Sequence, residues 1–470
     1  MKNSIVRIES IEIKNFKNVK SGYLNFINTR KPYSSSILGL YGQNGSGKTA
    51  LIDAISLLKY AITMQPIPAQ FADYINVDAN HATIKYGFKV NTSDPISEYT
   101  VFYEVNIRKD IDESIYNTDY VGDNTEKYKT TIFNEVLSYS YSSDDTKVKL
   151  QPIVDTRTIM VFVPATKYIT LVGKDKTIET NLFVAKKYTS ETSRSFVFST
   201  ELLNSMRKNC KEEYHLSLFE RLLWFGAYEL FIFNTANSGL ITMNVLPLAF
   251  RYEEYGKSAI GRLGIKLNGS SKIPQNALDI VKKVASNMNI VLTQLVPGLT
   301  INVKDLGTEI LPNGNTSYKI QLMSQKNSKE IPLQYESEGI KKIISILQLL
   351  IVIYNKASIT VAVDELDSGV FEYLLGEILR IISEKGKGQL IFTSHNLRPL
   401  ETLDRGFIAF TTTNQENRFI RLNNVKTNNN LRDFYYRDIV LGEQSETVYE
   451  PTNNYEIALA FREAGELSGS

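Results

Sequence analysis

Gly42-Gln43-Asn44-Gly45-Ser46-Gly47-Lys48-Thr49 decides how the rest of this sequence is read. Its glycines, lysine and hydroxyl stand at the spacing of a phosphate-binding loop, the Walker A pattern. Glycine lets successive backbone N–H groups close around phosphate oxygens with no side chain in the way. Gly42, Asn44, Gly45, Ser46 and Gly47 are therefore expected to form the cradle. Lys48 is expected to neutralise the β- and γ-phosphates, and the Thr49 hydroxyl to hold Mg²⁺. Four fixed positions arise by chance in roughly one chain in fifty of this length at average residue frequencies, so context has to decide. Upstream, Ile37 to Tyr41 reads as an apolar strand. Downstream, Leu51, Ala54, Ile55, Leu58 and Ala61 recur at helical spacing. A strand, a glycine turn and a helix whose positive end faces the anion are what such a loop requires. The implied cofactors are ATP and Mg²⁺.

A second stretch supplies acids. Ile359-Thr360-Val361-Ala362-Val363-Asp364-Glu365 is an apolar run ending in two carboxylates. A buried parallel strand delivers Asp364 to the carboxyl edge of its sheet, where it can hold Mg²⁺ through water. Glu365, one residue further, is placed to orient or deprotonate an attacking water. The bland alternative is a strand that meets solvent with two acids, and it loses weight beside a phosphate loop.

Composition bounds the rest. At 470 residues the chain exceeds one ordinary core, so two structural units are expected. The formal net charge of +2 neither implies nor excludes nucleic acid. The single cysteine, Cys210, has no partner for an internal disulfide, and three histidines leave too few soft ligands for a structural zinc site. The most apolar run, Ile343 to Tyr354, is too short to cross a bilayer and reads as a buried helix. No secretory signal is visible, and a reducing, cytoplasmic setting with no membrane partner is expected.

Along the chain, Ile8 to Ile13 and Tyr23 to Phe26 read as strands. Residues 82–90 and 99–107 alternate apolar with polar, as antiparallel strands with one wet face do. Residues 110–129 read as a polar loop. Ser199 to Phe233 reads as aromatic and helical, with core packing the ordinary role for its aromatics; Ile273 to Leu295 reads as a further helix. Strands return from Leu299.

Further motifs carry a resemblance. Glu336-Ser337-Glu338-Gly339-Ile340-Lys341-Lys342 resembles the signature motif of ABC ATPases in the form seen in RecF-like and OLD-like members. Ser337 and Gly339 match; Glu338 stands where transporters usually have glycine, a departure that favours the non-transport branch. Leu366-Asp367-Ser368 resembles the D-loop that links paired sites. Gln389-Leu390-Ile391-Phe392-Thr393-Ser394-His395-Asn396 resembles a strand ending in the H-loop histidine, whose imidazole would touch the γ-phosphate. Residues 11–17 and the long separation of Lys48 from Ser337 are similar to the RecF, SMC and OLD branch. The stretches Ser394 to Leu400 and Asn428 to Asp433 are similar to stand-alone AAA-family ATPases of bacterial abortive-infection (phage-defence) operons.

The resemblance implies an α/β fold: an ABC-type P-loop ATPase head of mixed sheet, helices and antiparallel strands, with a largely helical inserted subdomain. It divides the chain into 1–175 with Walker A, an insertion over 176–298, a second ATPase part over 299–440 and a tail over 441–470. It implies catalytic roles for Glu365 and His395, nucleotide contacts from Ser337, Gly339 and Asp367, and metal contacts from Thr49 and Asp364. A homodimer or higher homo-oligomer is implied, because Ser337 and Gly339 would complete a partner's site. The function implied first is the ATPase of an antiviral defence system acting with a separate nuclease or toxin. A DNA-repair or DNA-clamping ATPase is the alternative, with nucleic acid as a candidate partner; a transporter motor is disfavoured. The Q-loop glutamine is not assigned between Gln65 and Gln70.

Overall fold

The computed structural model describes residues 4–27, 36–93, 96–112, 128–254, 257–310, 316–422, 430–442 and 444–467. Helix Lys48–Ile62 organises them. It buries Leu51, Ile52, Ala54, Ile55, Leu57, Leu58 and Ile62, which point to all sides of the helix. A helix apolar all round has to be enclosed, and this one lies between two six-stranded sheets.

On one side is an antiparallel sheet in the order Val19–Asn25, Ser4–Phe16, Ala82–Ser93, Ile96–Ile111, Tyr128–Ser143, Lys147–Asp155. The expected alternation is present: Ile84, Tyr86, Phe88 and Val90, and Tyr99, Val101, Tyr103 and Val105, are all buried. The Tyr86 hydroxyl donates to Ala54 O at 2.6 Å, which ties this sheet to the helix. The strands Ile96–Ile111 and Tyr128–Ser143 run into both ends of the expected 110–129 loop; residues 113–127 lie outside the described residues.

On the other side the order is Phe419–Ile420, Ile408–Thr411, Ser36–Tyr41, Gln389–Thr393, Thr360–Val363, Leu230–Phe233. All neighbours except the first pair are parallel. The chain therefore leaves Tyr41, Val363 and Thr393 at one edge, which brings the glycine loop, the two acids and His395 together.

Residues 176–298 are largely helical, as expected, with four strands set among the helices. Helices Lys176–Glu191, Thr200–Asn209 and Glu213–Trp224 cover the antiparallel sheet, and Phe219 and Phe225 are core residues there. Leu230–Phe233, expected as helix, is instead the last strand of the parallel sheet. Four consecutive apolar residues carry no periodicity that separates strand from helix. A hairpin, Val245–Glu254 with Lys257–Lys266, follows. Its Arg251 and Arg262 donate to Tyr228 O and Ile232 O at 3.0 and 2.6 Å, and Lys59 donates to Leu230 O between them. Alternate carbonyls along the sheet edge are thus occupied by cations, which blocks further strand addition. Burial, then the Arg262 charge, pushes Lys59 down to about 7.

The run Ile343 to Tyr354 lies in helix Glu338–Asn355, buried against helix Gln275–Leu295 and the parallel sheet. No helix among the described residues is long and apolar enough to cross a membrane.

One polar cluster lies within the cover of the antiparallel sheet. His215 is fully buried, with Nε2 2.7 Å from the Tyr139 hydroxyl and 3.1 Å from Lys167 Nζ, and Nδ1 3.1 Å from a Glu212 oxygen. Burial, then the Lys167 charge, lowers the His215 pKa to about 4 against the opposing pull of Glu212. The unfolded chain, with an ordinary histidine, binds the proton between about pH 6.5 and 4 and the folded chain does not. This contribution to stability is complete above about pH 6.5 and is lost as pH falls towards 4, by up to roughly 3 kcal/mol. Denaturant melts across that window should show the slope, and His215→Phe should flatten it; an unchanged slope would exclude His215 as its source.

Candidate nucleotide site

Each part of the glycine loop is held by a different element. Gly42 leaves the strand Ser36–Tyr41 so close to Ile408–Thr411 that a Cβ there would meet Thr411 Oγ1 at 1.7 Å. Thr411 Oγ1 also bonds Ser46 Oγ, whose hydroxyl donates to Gln43 O at 2.7 Å. From the antiparallel sheet side, the Asn18 amide donates to Gly45 O, and Arg418 holds Asn18 O at 2.7 Å. The loop is thus shaped by Thr411, Asn18 and Arg418, none of which the motif names.

Lys48 is buried, and its ammonium donates to Gly42 O and Gln43 O at 2.8 Å each, folded back over its own loop. Burial pushes its pKa down to about 8, against the pull of Asp364, Asp367 and Glu365. A phosphate would offer Lys48 better acceptors than two carbonyls, since bonds between charged partners are stronger.

Asp364 is buried at the end of Thr360–Val363 and accepts hydroxyls from three segments. Thr393 Oγ1 lies at 2.6 Å from Oδ1, Thr235 Oγ1 at 2.6 Å from Oδ2, and Thr49 Oγ1 at 3.5 Å from Oδ1. Thr49 and Asp364 therefore do come together. Their all-oxygen donor set suits a hard cation that keeps most of its waters and shares phosphate oxygens, as Mg²⁺ does. Among the described residues no cluster of three His, Cys, Asp or Glu side chains forms a fuller metal cage.

Glu365 follows with φ of 48°, a left-handed conformation that is costly for a non-glycine residue. Its N–H donates to Thr393 Oγ1 at 2.8 Å, so one threonine sets both acids. Asp367 turns back to the third loop: Oδ2 accepts the N–H groups of His395 and Asn396 at 3.0 and 2.9 Å. That carboxylate oxygen fixes the backbone carrying His395, whose own side chain is exposed at the mouth of the site. Desolvation, then the Lys48 charge, lowers the His395 pKa.

Ser337 and Gly339 lie apart from the loop. Ser337 is exposed, and its Oγ caps helix Glu338–Asn355 by accepting Ile340 N–H at 3.3 Å. Gly339 is buried, and a Cβ there would come within 1.8 Å of Gly369 O. The helix start thus packs backbone to backbone on the turn after Asp367. From the same helix the buried Lys342 reaches Ser238 Oγ at 2.7 Å and sits 4.5 Å over the Phe233 ring. Burial lowers its pKa to about 8, with Glu365, Asp364 and Asp367 opposing. Sequence reading missed Lys342, Thr235 and Thr393; of these Lys342 and Thr393 lay inside motifs already singled out, and Thr235 did not. Gln65 N–H donates to Tyr60 O at 3.0 Å, and the Q-loop glutamine stays unassigned between Gln65 and Gln70.

Residues 10–221 match the family model described as an AAA domain, a span below half the chain that contains the glycine loop and ends before the acids. No curated protein matches the chain. Among solved structures, an SMC head bound to the C-terminal winged-helix domain of ScpA is similar at 13% identity, covering 88% of this chain and 97% of that one, with a TM-score of 0.39. The SMC head domain from Thermotoga maritima gives 14%, 88%, 99% and 0.35. The recombination mediator RecF gives 12%, 88%, 98% and 0.35. Likeness at these values lends no residue role to this chain, and the geometry above stands by itself.

Gly339→Ala should force the helix start and the Gly369 turn apart, at an overpacking cost of about 1–3 kcal/mol. A lowered melting temperature with ATP affinity within a few-fold of wild type is expected from calorimetry and nucleotide titration. An unchanged melting temperature would mean the contact gives way freely.

Proposed function

We propose that the chain binds MgATP on the loop Gly42 to Thr49 and hydrolyses it, with two copies completing each site. The observation that carries this reading is the Thr49–Asp364 pairing beside Lys48, where a hydroxyl of the glycine loop and a strand-end carboxylate converge. In this reading the loop N–H groups and the ammonium of Lys48 cradle the phosphates. Thr49 and Asp364 would hold Mg²⁺, which when bound offsets charge on the phosphate oxygens. Glu365 orients the attacking water and takes its proton. Thr393 keeps Glu365 in its left-handed turn, and Asp367 keeps His395 at the mouth. Ser337, exposed on its own chain, is free to meet a nucleotide held by another.

Two physiological settings suit such a head. One is regulation of a separate nuclease or toxin in antiviral defence, and the other is DNA clamping in repair or chromosome maintenance. We carry the second forward because it makes the sharper claim: duplex DNA should raise the turnover rate. A rate indifferent to DNA, together with co-purification of a nuclease or toxin, would return the defence setting.

Lys48→Ala should weaken ATP binding about 100-fold, the equivalent of a lost charge-assisted contact of about 3 kcal/mol. Glu365→Gln should keep binding and lower turnover by about 10²- to 10⁴-fold. Ser337→Arg should block turnover while leaving ATP binding nearly intact. Equilibrium titration and phosphate release separate these outcomes. Full turnover by Glu365→Gln would assign the base elsewhere, and turnover per chain that is unchanged in a demonstrable monomer would remove the two-copy site.

A further inference from the structure

Asp364 is held by both of its oxygens. Thr393 Oγ1 donates to Oδ1 and Thr235 Oγ1 to Oδ2, each at 2.6 Å. The last torsion of an aspartate is broad, so a single donor leaves the carboxylate free to turn. Donors on opposite oxygens fix its plane, and with it the direction in which Oδ1 faces Thr49. Among the described residues Thr235 is the one donor to Oδ2.

Thr235 opens the helix Thr235–Thr242, which has little of its own to hold it. A glycine and three β-branched residues make it a weak helix former, and of its eight residues Ile241 alone is buried. A capping box closes its start: the Asn234 side chain accepts Asn237 N–H at 3.3 Å, and the Asn237 side chain accepts Asn234 N–H at 3.0 Å. Three residues after Thr235, and so on the same face, comes Ser238. Its Oγ accepts the ammonium of Lys342 at 2.7 Å.

Lys342 is 3% exposed, and a buried ammonium is costly unless it is bonded. Glu365, Asp364 and Asp367 attract its charge, yet Ser238 is its one hydrogen-bond acceptor among the described residues. The lysine belongs to helix Glu338–Asn355, whose cap Ser337 is exposed. The short helix thus bonds the carboxylate at its first residue and the helix capped by Ser337 at its fourth.

We propose that Thr235 and Lys342 are positioning residues for the metal-holding pair Thr49 and Asp364. Thr235 sets the plane of the carboxylate, and Lys342, through Ser238, holds Thr235 in place. The proposal rests on the MgATP reading above. Losing either bond loosens the carboxylate, and metal affinity falls, as it does when the groups that orient a metal ligand are removed. The Lys342 charge by itself acts in the opposite direction, because a cation repels a dication. The bond is therefore tested at Ser238, which leaves the charge in place.

The probe is Mn²⁺, which takes the same oxygen donors as Mg²⁺, with a non-hydrolysable ATP analogue on the full chain. Titrating the analogue with Mn²⁺ and with a chelator gives the affinity gained from the metal, and electron paramagnetic resonance counts the bound Mn²⁺. Thr235→Val should cut that gain by about 10-fold and leave the metal-free affinity unchanged. Thr235→Ser, which keeps the hydroxyl, should retain the wild-type gain. Ser238→Ala should cut the gain by a smaller factor than Thr235→Val. Adding it to Thr235→Val should cost nothing more, because one residue acts through the other. Circular dichroism melts check folding; alanine suits a helix at position 238, and Thr235→Ala replaces Thr235→Val if the valine variant does not fold. General loosening of the site would lower the metal-free affinity as well. A wild-type chain that gains nothing from Mn²⁺ removes the MgATP reading and this proposal with it. With the gain present in wild type, four results overturn the proposal alone: an unchanged gain in Thr235→Val, its loss in Thr235→Ser, an unchanged gain in Ser238→Ala, or losses that add in full.

Discussion

Asp364 is the constraint on which the rest of the site hangs. A buried carboxylate is costly unless its oxygens are bonded, and here three threonines from three distant segments supply the bonds. Thr49 opens the helix after the glycine loop, Thr393 ends a neighbouring strand, and Thr235 follows the edge strand. Each donor is delivered to the same sheet edge because the strands are parallel. The carboxylate thus holds in register elements that lie 29, 129 and 315 residues from it along the chain. It also positions the acid beside it, since the Thr393 hydroxyl that donates to Asp364 accepts the N–H of Glu365.

Much of this was legible in the sequence, for definable reasons. The glycine loop has a spacing dictated by phosphate, and its flanking strand and helix show their periods plainly. The antiparallel strands around Tyr86 and Tyr103 alternate because one face is buried. Where no period exists, the reading failed: Leu230–Phe233 is a short apolar run after a helix, and only pairing with Thr360–Val363 makes it a strand. The consequence was large, because that strand carries the chain to Thr235 and so to Asp364. Thr411, Asn18 and Arg418 were equally invisible: Thr411 bonds the Ser46 hydroxyl from 365 residues away, Asn18 reaches Gly45 O from the antiparallel sheet, and Arg418 acts only by holding Asn18. Lys342 is a lysine in a helix start, ordinary in sequence and buried beside three carboxylates in space.

The contact of Gly339 with Gly369 gives the helix Glu338–Asn355 a second meaning. The start of that helix presents Ser337 outward, while its next residues rest on the turn that follows Asp367. Asp367 in turn holds the backbone of His395. A displacement of the exposed helix start would therefore meet the Gly369 turn backbone to backbone, and would reach the mouth of the site through the Asp367 carboxylate. Protein interiors at this packing density shift in discrete steps rather than yielding smoothly.

The glycine loop faces a second mechanical boundary at Gln43. Its carbonyl accepts the Lys48 ammonium and the Ser46 hydroxyl, while its side chain holds the backbone of Glu450. A phosphate that draws Lys48 away would remove a donor from Gly42 O and Gln43 O together, so these carbonyls would have to find others. Gly42 has little room to turn, because Thr411 closes on its α-carbon. Gln43 carries both the bonds of the loop and the tie to Glu450, so an adjustment at Gln43 would be felt by the C-terminal segment. The segment beyond it has further anchors in Glu446 and Thr447, on the loop after Thr411. The C-terminal helix, Asn454–Leu467, is thus mounted on the two loops that shape the phosphate cradle, and a change in the cradle reaches it through a linker of only three residues.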